Sequence, residues 1–382
     1  MLLTQCTACA APLGLASGKK CSRCSTRYCG PACQAQHWKE GGHDKLCKKI
    51  KRAGGAEQFH ADNKYKEAVA VAVEKCAEDT KGQTCYICTE ALHWKTKEDL
   101  VRGCACRGTA GFAHVSCLAK QAKILMEEAE ENNLGGEAKD ARMWRWCKCS
   151  LCEQNYHGVV ACALGWAFWK TYLSWPEEDT LRCVAINILG NGLYSARHYE
   201  AALSVRETEL SMVRRVGVSE GTILCIQSNL ASTYSSLDRL EDALRMEKYV
   251  YLGNLKLNGE EHERALQAAT NYASSLINQQ LYEEAKALLR KTEPVARRVL
   301  GDYAETTLKM RFEIGWALYM DAGATLDDLR EAVTTLADTE RIARRVLGGA
   351  HSLTTTIEGE LGNSRATLRA HEEWTRLETL GK

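Results

Sequence analysis

Between residues 104 and 117 the chain reads CACRGTAGFAHVSC, that is Cys104-x-Cys106, seven residues, then His114-x2-Cys117. Thiols and imidazoles crowded in this way are soft ligands, and zinc takes four such donors in a tetrahedron, often as pairs held by tight turns. Two further pairs lie at workable distances: Cys85-x2-Cys88 is fifteen residues upstream and Cys149-x2-Cys152 thirty-one residues downstream. Eight donors make two closed sites. Cross-bracing would place Cys85, Cys88, His114 and Cys117 on one zinc, and Cys104, Cys106, Cys149 and Cys152 on the other. Cys147 stands two residues before Cys149 and competes with it as a ligand.

A second set precedes the first. It reads Cys6-x2-Cys9, Cys21-x2-Cys24, Cys29-x3-Cys33 and His43-x3-Cys47. The pairs are so close that they should interleave, the first and third sharing one ion and the second and fourth the other. His37 competes for the last pair, but His43 fits its spacing better. Sites with all four positions filled by protein are structural rather than catalytic. The expected cofactor is zinc, four ions per chain.

Composition agrees with metal rather than disulfide use. Of 19 Cys, 16 precede residue 153, and only Cys162, Cys183 and Cys225 follow. A disulfide scaffold would be short and would begin with a leader. The opening MLLTQCTACA is too short for a leader and already holds two Cys, so a reducing compartment is expected: cytoplasmic, with the nucleus as the alternative. The longest apolar run, GVVACALGWAFW at 158–169, stops at Lys170 and is too short to span a bilayer, so it reads as a buried helix and no membrane partner is expected. Residues 1–52 hold ten Lys or Arg against Glu40 and Asp44. A four-thiolate zinc carries a formal −2, and a three-thiolate, one-imidazole zinc −1, which lowers that excess. The remaining charge surrounds a metal knot without a recognition helix or stacking aromatics, which argues against nucleic acid.

The elements that must carry these ligands can be read from the breakers. Only Pro12, Pro31, Pro176 and Pro294 occur, and the back half is rich in Ala and Leu, so it should be helical, with a division near Pro176. Small residues recur at Gly190, Ala231, Ala273 and Gly315, a second series at Ala202, Ala243, Ala285 and Ala332, and a third at Gly217, Gly259, Gly301 and Gly348. The common spacing of 41 or 42 residues, with a five-residue insertion at AGATLD in the fourth unit, predicts helix-turn-helix repeats whose small residues let paired helices cross closely. Pro294 should kink its helix. The expected fold is mainly α: two small cross-braced zinc modules at 6–47 and 85–152, separated by a helical linker at 48–84. An apolar helix at 157–176, four repeats forming an α-solenoid at 177–348 and a capping helix at 349–382 complete it.

Three family resemblances follow from these residues. The first eight ligands, with YCGPACQAQHW between them, resemble a MYND zinc finger. That implies a small surface for Pro-containing peptides, with Gln34 and Trp38 at the contact positions. The segments CYIC, CACRGTAGFAHVSCL and CSLC resemble a RING-CH (RING variant) finger, a family of ubiquitin ligases. Such a module has no catalytic nucleophile; it grips a ubiquitin-conjugating enzyme through an apolar contact, here Ile87, which Trp144 and Trp146 could complete. Two features depart from that family. The stretch between Cys117 and Cys149 is long, with AKQAKILMEEAEENN as an extended helix, and Glu153 follows the last pair where active ligases often carry a basic residue. The repeats resemble the 42-residue tetratricopeptide (TPR) repeats of kinesin light chain, which implies a groove for peptides or protein partners. Together these imply a zinc-dependent ubiquitin ligase whose MYND and TPR-like modules select protein substrates. The alternative is a non-catalytic interaction scaffold. No phosphate-binding loop or hydrolase constellation is present, and there is no room for the β-rich catalytic domain that accompanies MYND fingers in some lysine methyltransferases.

Overall fold

A computed structural model describes residues 6–11, 13, 18–349 and 351–380; Met1 to Gln5, the start of the segment weighed as a leader, and Pro12 lie outside these. Two compact units divide between Val218 and Ser219.

In the first unit, a two-residue antiparallel ladder, β1 (Lys19–Lys20) with β2 (Arg27–Tyr28), is followed by α1 (Pro31–Lys39) and α2 (His43–Arg52). Pro31 sits in the first turn of α1, where its missing N–H costs nothing. The linker forms α3 (Ala56–Cys76). The long stretch after Cys117 forms α4 (Val115–Glu131) and α5 (Gly136–Met143), closed by a single 3-10 turn at Trp144–Trp146. Then come α6 (Gly158–Tyr172), α7 (Thr180–Ser195) and α8 (Tyr199–Val216). The apolar run is α6, and it is buried almost all round, from Val160 through Trp169.

The expected division at Pro176 is not where the units part. Gly192 of α7 lies so close to α6 that a Cβ there would stand 2.6 Å from the Ala161 carbonyl oxygen. An apolar helix must bury every face, and α6 does so against α7 on one side and α3 and α4 on the other. Proline ends a helix; it does not separate two helices that share a core.

In the second unit, α9 (Glu220–Ser236) pairs with α10 (Leu240–Asn258), α11 (Glu263–Asn278) with α12 (Tyr282–Leu300), and α13 (Glu305–Met320) with α14 (Leu326–Val346); α15 (Ser352–Leu380) follows. Helix α12 runs on through Pro294. Ala231, Ala243, Ala273, Ala285 and Ala332 are all buried at the helix crossings. The exit glycines serve a different need: Gly259, Gly301 and Gly348 have φ of 83°, 92° and 91°, a region costly for residues with a Cβ. The inserted segment of the fourth repeat lies between α13 and α14. There Asp321 accepts from the Gly323 N–H, and Thr325 with Asp328 forms a capping box.

A polar ladder links the first helices of successive repeats in this unit. Asn271 donates to Ser228 at 3.1 Å, Lys309 donates to Asn271 at 3.2 Å, and Ser274 donates to Glu313 at 2.7 Å. Behind it Ser228 donates to the buried Glu247 at 3.2 Å. Among the described residues no helix is long and apolar enough to cross a membrane.

Candidate metal centres

The four Cys-x2-Cys pairs share one local geometry. The N–H of the first Cys donates to a carbonyl five residues on, and the residue after the second Cys closes the turn in the left-handed region. This holds for Cys6 with Ala11, Cys21 with Thr26, Cys85 with Glu90 and Cys149 with Gln154, at 2.8 to 3.0 Å. The closing residues are Ala10, Ser25, Thr89 and Glu153, with φ between 56° and 64°. None is Gly, so each turn holds a strained residue, and a filled site would hold it there. The turn also points backbone N–H groups at sulfur: Ile87 N–H meets Cys85 Sγ and Leu151 N–H meets Cys149 Sγ, both at 3.4 Å. Such bonds favour the thiolate that a metal requires.

Four groups result: Cys6, Cys9, Cys29 and Cys33; Cys21, Cys24, His43 and Cys47; Cys85, Cys88, His114 and Cys117; Cys104, Cys106, Cys149 and Cys152. Within each, one ligand atom per residue lies within 4.8 Å of every other. A tetrahedron with metal–sulfur bonds of about 2.3 Å has edges of about 3.8 Å. The separations Cys9–Cys29 at 3.7 Å, Cys21–Cys47 at 3.8 Å and Cys106–Cys149 at 3.8 Å match that edge. All four positions are filled by protein, so each group is suited to a closed zinc site. In each finger the groups interleave, and the two sites are tied together by the chain between them.

Both histidines present a defined nitrogen. His114 Nδ1 faces Cys88 and Cys117, while Nε2 lies 3.3 Å from the Ala91 carbonyl oxygen. That contact fixes the ring and the tautomer a metal needs. His43 turns Nε2 to Cys24 at 3.4 Å. Burial lowers the pKa of both rings, which keeps them neutral and able to ligate.

The two competitors are held elsewhere. His37 Nδ1 pairs with the Tyr28 hydroxyl at 2.9 Å. Cys147 turns its sulfur to the Trp144 carbonyl at 3.4 Å and belongs to none of the ligand groups. Gly111 has a role that spacing does not reveal. It has φ of 84°, and a Cβ there would stand 2.6 Å from Cys106 Cβ and 3.1 Å from Cys104 Sγ. The loop of the opening motif can close on its thiols only at a glycine.

The surface residues fall differently from expectation. Ile87 is half-buried, packed against the core of the second finger. Trp146 is 1% exposed and stacks on Phe168 at 4.5 Å with planes 3° apart, so it is not a surface contact. The 3-10 turn sends its neighbour Trp144 outward. Leu151 is exposed on the last turn, and the Tyr86 and Ser150 hydroxyls bridge that turn to the one carrying Ile87 at 3.1 Å. Glu153 pairs with Arg145 at 2.9 Å. In the first finger Trp38 is exposed and Gln34 half-buried on α1.

One further turn repeats the metal-turn shape without cysteines. His93 N–H donates to the Glu98 carbonyl, Lys97 has φ of 58°, and His93 Nδ1 accepts from Thr96 where a metal turn would hold its second ligand. It carries Trp94, 68% exposed.

Fold and sites together define a class: a mainly helical repeat protein carrying two zinc fingers ahead of its repeats. Residues 6–47 match the family model of the MYND finger. No curated protein matches the chain. Among solved structures, a Podosopora anserina putative kinesin light chain with nearly identical TPR-like repeats aligns at 16% identity and a TM-score of 0.41, covering 61% of this chain and 97% of that one. BtubC (BKLC) from P. vanneervenii aligns at 11% identity and a TM-score of 0.37, covering 67% and 91%. The apo form of RapI aligns at 14% and 0.39, covering 67% and 84%.

Proposed function

We propose that residues 85–152 form a RING-CH-type module that recruits a ubiquitin-conjugating enzyme, and that the protein is a ubiquitin ligase acting in the cytoplasm. The MYND finger, through Trp38 and Gln34, and the TPR-like repeats would select its protein substrates. The carrying observation is the pair of metal turns bridged by the Tyr86 and Ser150 hydroxyls, one carrying Ile87 and the other the exposed Leu151. Closed sites leave no position for substrate, so the metals shape a surface instead of reacting. A rigid apolar surface of this kind is suited to grip a partner enzyme and hold its thioester in a reactive pose, which lowers the barrier by positioning alone. In the repeats, a polar cavity of about 550 Å³ between α11 and α13, lined among others by Gln267, Asn271, Glu305 and Lys309, offers a place for substrate segments.

One observation favours a second reading, a non-catalytic scaffold. Glu153 puts a carboxylate, paired to Arg145, at the position where active ligases often carry a basic side chain. Autoubiquitination with a panel of conjugating enzymes separates the two. Ile87→Ala should leave zinc content unchanged and weaken conjugating-enzyme binding by about 1–2 kcal/mol, roughly five- to thirty-fold. Glu153→Arg should raise transfer. If the wild type and both variants are silent with every enzyme, the scaffold reading replaces the ligase.

A further inference from the structure

A polar cavity of about 290 Å³ lies inside the first unit, where the first finger meets α6, α7 and α8. None of the sixteen ligand residues lines it, nor does any contact residue of the two fingers. Its wall is built from both sides. Strands β1 and β2 supply Lys20 and Arg27, and the first turn of α3 supplies Glu57. Glu177 comes from the segment before α7, Arg182 from α7 and Arg215 from α8. Four cations therefore share this wall with two carboxylates.

Two of the arginines sit unlike ordinary surface arginines. Arg27 is 5% exposed, and the Arg182 side chain 16%. Charge held this far from water calls for opposite charge close by. Glu177 is divided between two cations, taking Arg215 at 2.6 Å and Arg182 at 3.9 Å. Arg182 also donates Nη1–H to the Trp175 carbonyl at 2.5 Å, while its Nε–H is buried with no acceptor among the described residues. Glu57 is the other carboxylate on the wall, so an excess of positive charge remains.

We propose that this cavity binds the phosphate group of a phosphate monoester. An arginine presents a planar fork that takes two oxygens of an oxyanion at once. Arg27 comes from the finger, and Arg182 and Arg215 from the helices. Forks supplied from two sides suit a tetrahedral group, with oxygens in every direction, better than a flat carboxylate. The volume is at the small end for a ligand site, enough for a phosphate on a short carrier. A dianion there would offset the excess charge and join the first finger to α7 and α8. The site does not depend on the ligase reading.

Isothermal titration of the zinc-loaded full chain with inorganic phosphate and with O-phosphoserine tests this. Serine, acetate and chloride at matched ionic strength are the controls, and zinc content is measured afterwards. The expected result is saturable binding of phosphate that the controls do not reproduce. Tighter binding of O-phosphoserine supports the site and assigns the group to a phosphorylated side chain; equal binding supports it as a site for free phosphate. Arg215→Gln and Arg182→Gln should each weaken binding about tenfold. Glu57→Gln, which removes a carboxylate from the wall, should tighten it about threefold. Lys256→Gln, on α10, should change nothing. Thermal unfolding of the helical signal identifies any variant that fails through folding, and Arg215, with a side chain 45% exposed, is the arginine least needed for the fold. Phosphate binding no stronger than that of chloride overturns the proposal, as does binding that Arg215→Gln and Arg182→Gln both leave intact or that Glu57→Gln weakens.

Discussion

Gly111 illustrates how a single atom governs a metal site. Adding a Cβ there would strain a backbone at φ of 84° and push against Cys106. Gly111→Ala should therefore cost about 2–4 kcal/mol, the strain and overpacking together. Metal analysis should show loss of the ion held by Cys104, Cys106, Cys149 and Cys152, while the neighbouring site with His114 keeps its own. At this scale the ligand set was legible in the sequence because metal turns are local: two Cys at fixed spacing build the geometry with the residues between them. What was not legible is direction. Ile87 and the two Trp residues at 144 and 146 read alike as apolar residues beside ligands, yet the turns send Trp144 out, Trp146 in and Ile87 halfway. Those orientations depend on α3 and α6, which are remote in the chain.

Among the elements, the paired helices of the repeats hide carboxylates that short-range patterns do not announce. Burial pushes Glu313 up to about 7, against a bond from Ser274 and the nearby Lys309. Glu247, on α10, is raised to about 8, with Ser228 and Lys309 opposing. A raised carboxyl pKa means the fold prefers the protonated form. The cost is absent below the ordinary Glu value, grows as pH rises from there toward the raised value, and levels off above it. Glu313→Gln should gain on the wild type by about 2 kcal/mol between about pH 5.5 and pH 8, read as thermal unfolding of the helical signal. An unchanged gap across that range would show that Glu313 ionises freely in the fold. The helices themselves were legible, since three series of small residues repeat at a fixed interval. The packing of α15 was legible in part: its inner stripe, Thr354, Ile357, Leu361 and Ser364, continues the repeats.

For the whole molecule, the sixteen ligands predict four zinc ions per chain. Cys21→Ser should release the ions of the first finger and leave two in the second, because the fingers share no ligand. Loss of all four would mean one fused metal domain. A chelator should unfold the fingers and spare most of the helical signal, since no metal group among the described residues lies in the second unit. The division of the chain was the least legible feature. Pro176 marks the end of a helix, while the core continues past it to Val218.

The stacking of Trp146 on Phe168 bears on how this protein can be taken apart. A fragment cut after Cys152 would keep every ligand of the second finger and still lose its floor, leaving an indole that is 1% exposed in the intact chain facing water. Such a fragment would be sticky and poorly soluble even when fully metallated. The smallest portable piece carrying this finger is therefore the whole stretch through α8, and any search for its binding partners with the excised finger alone would catch proteins on a surface the native molecule never shows.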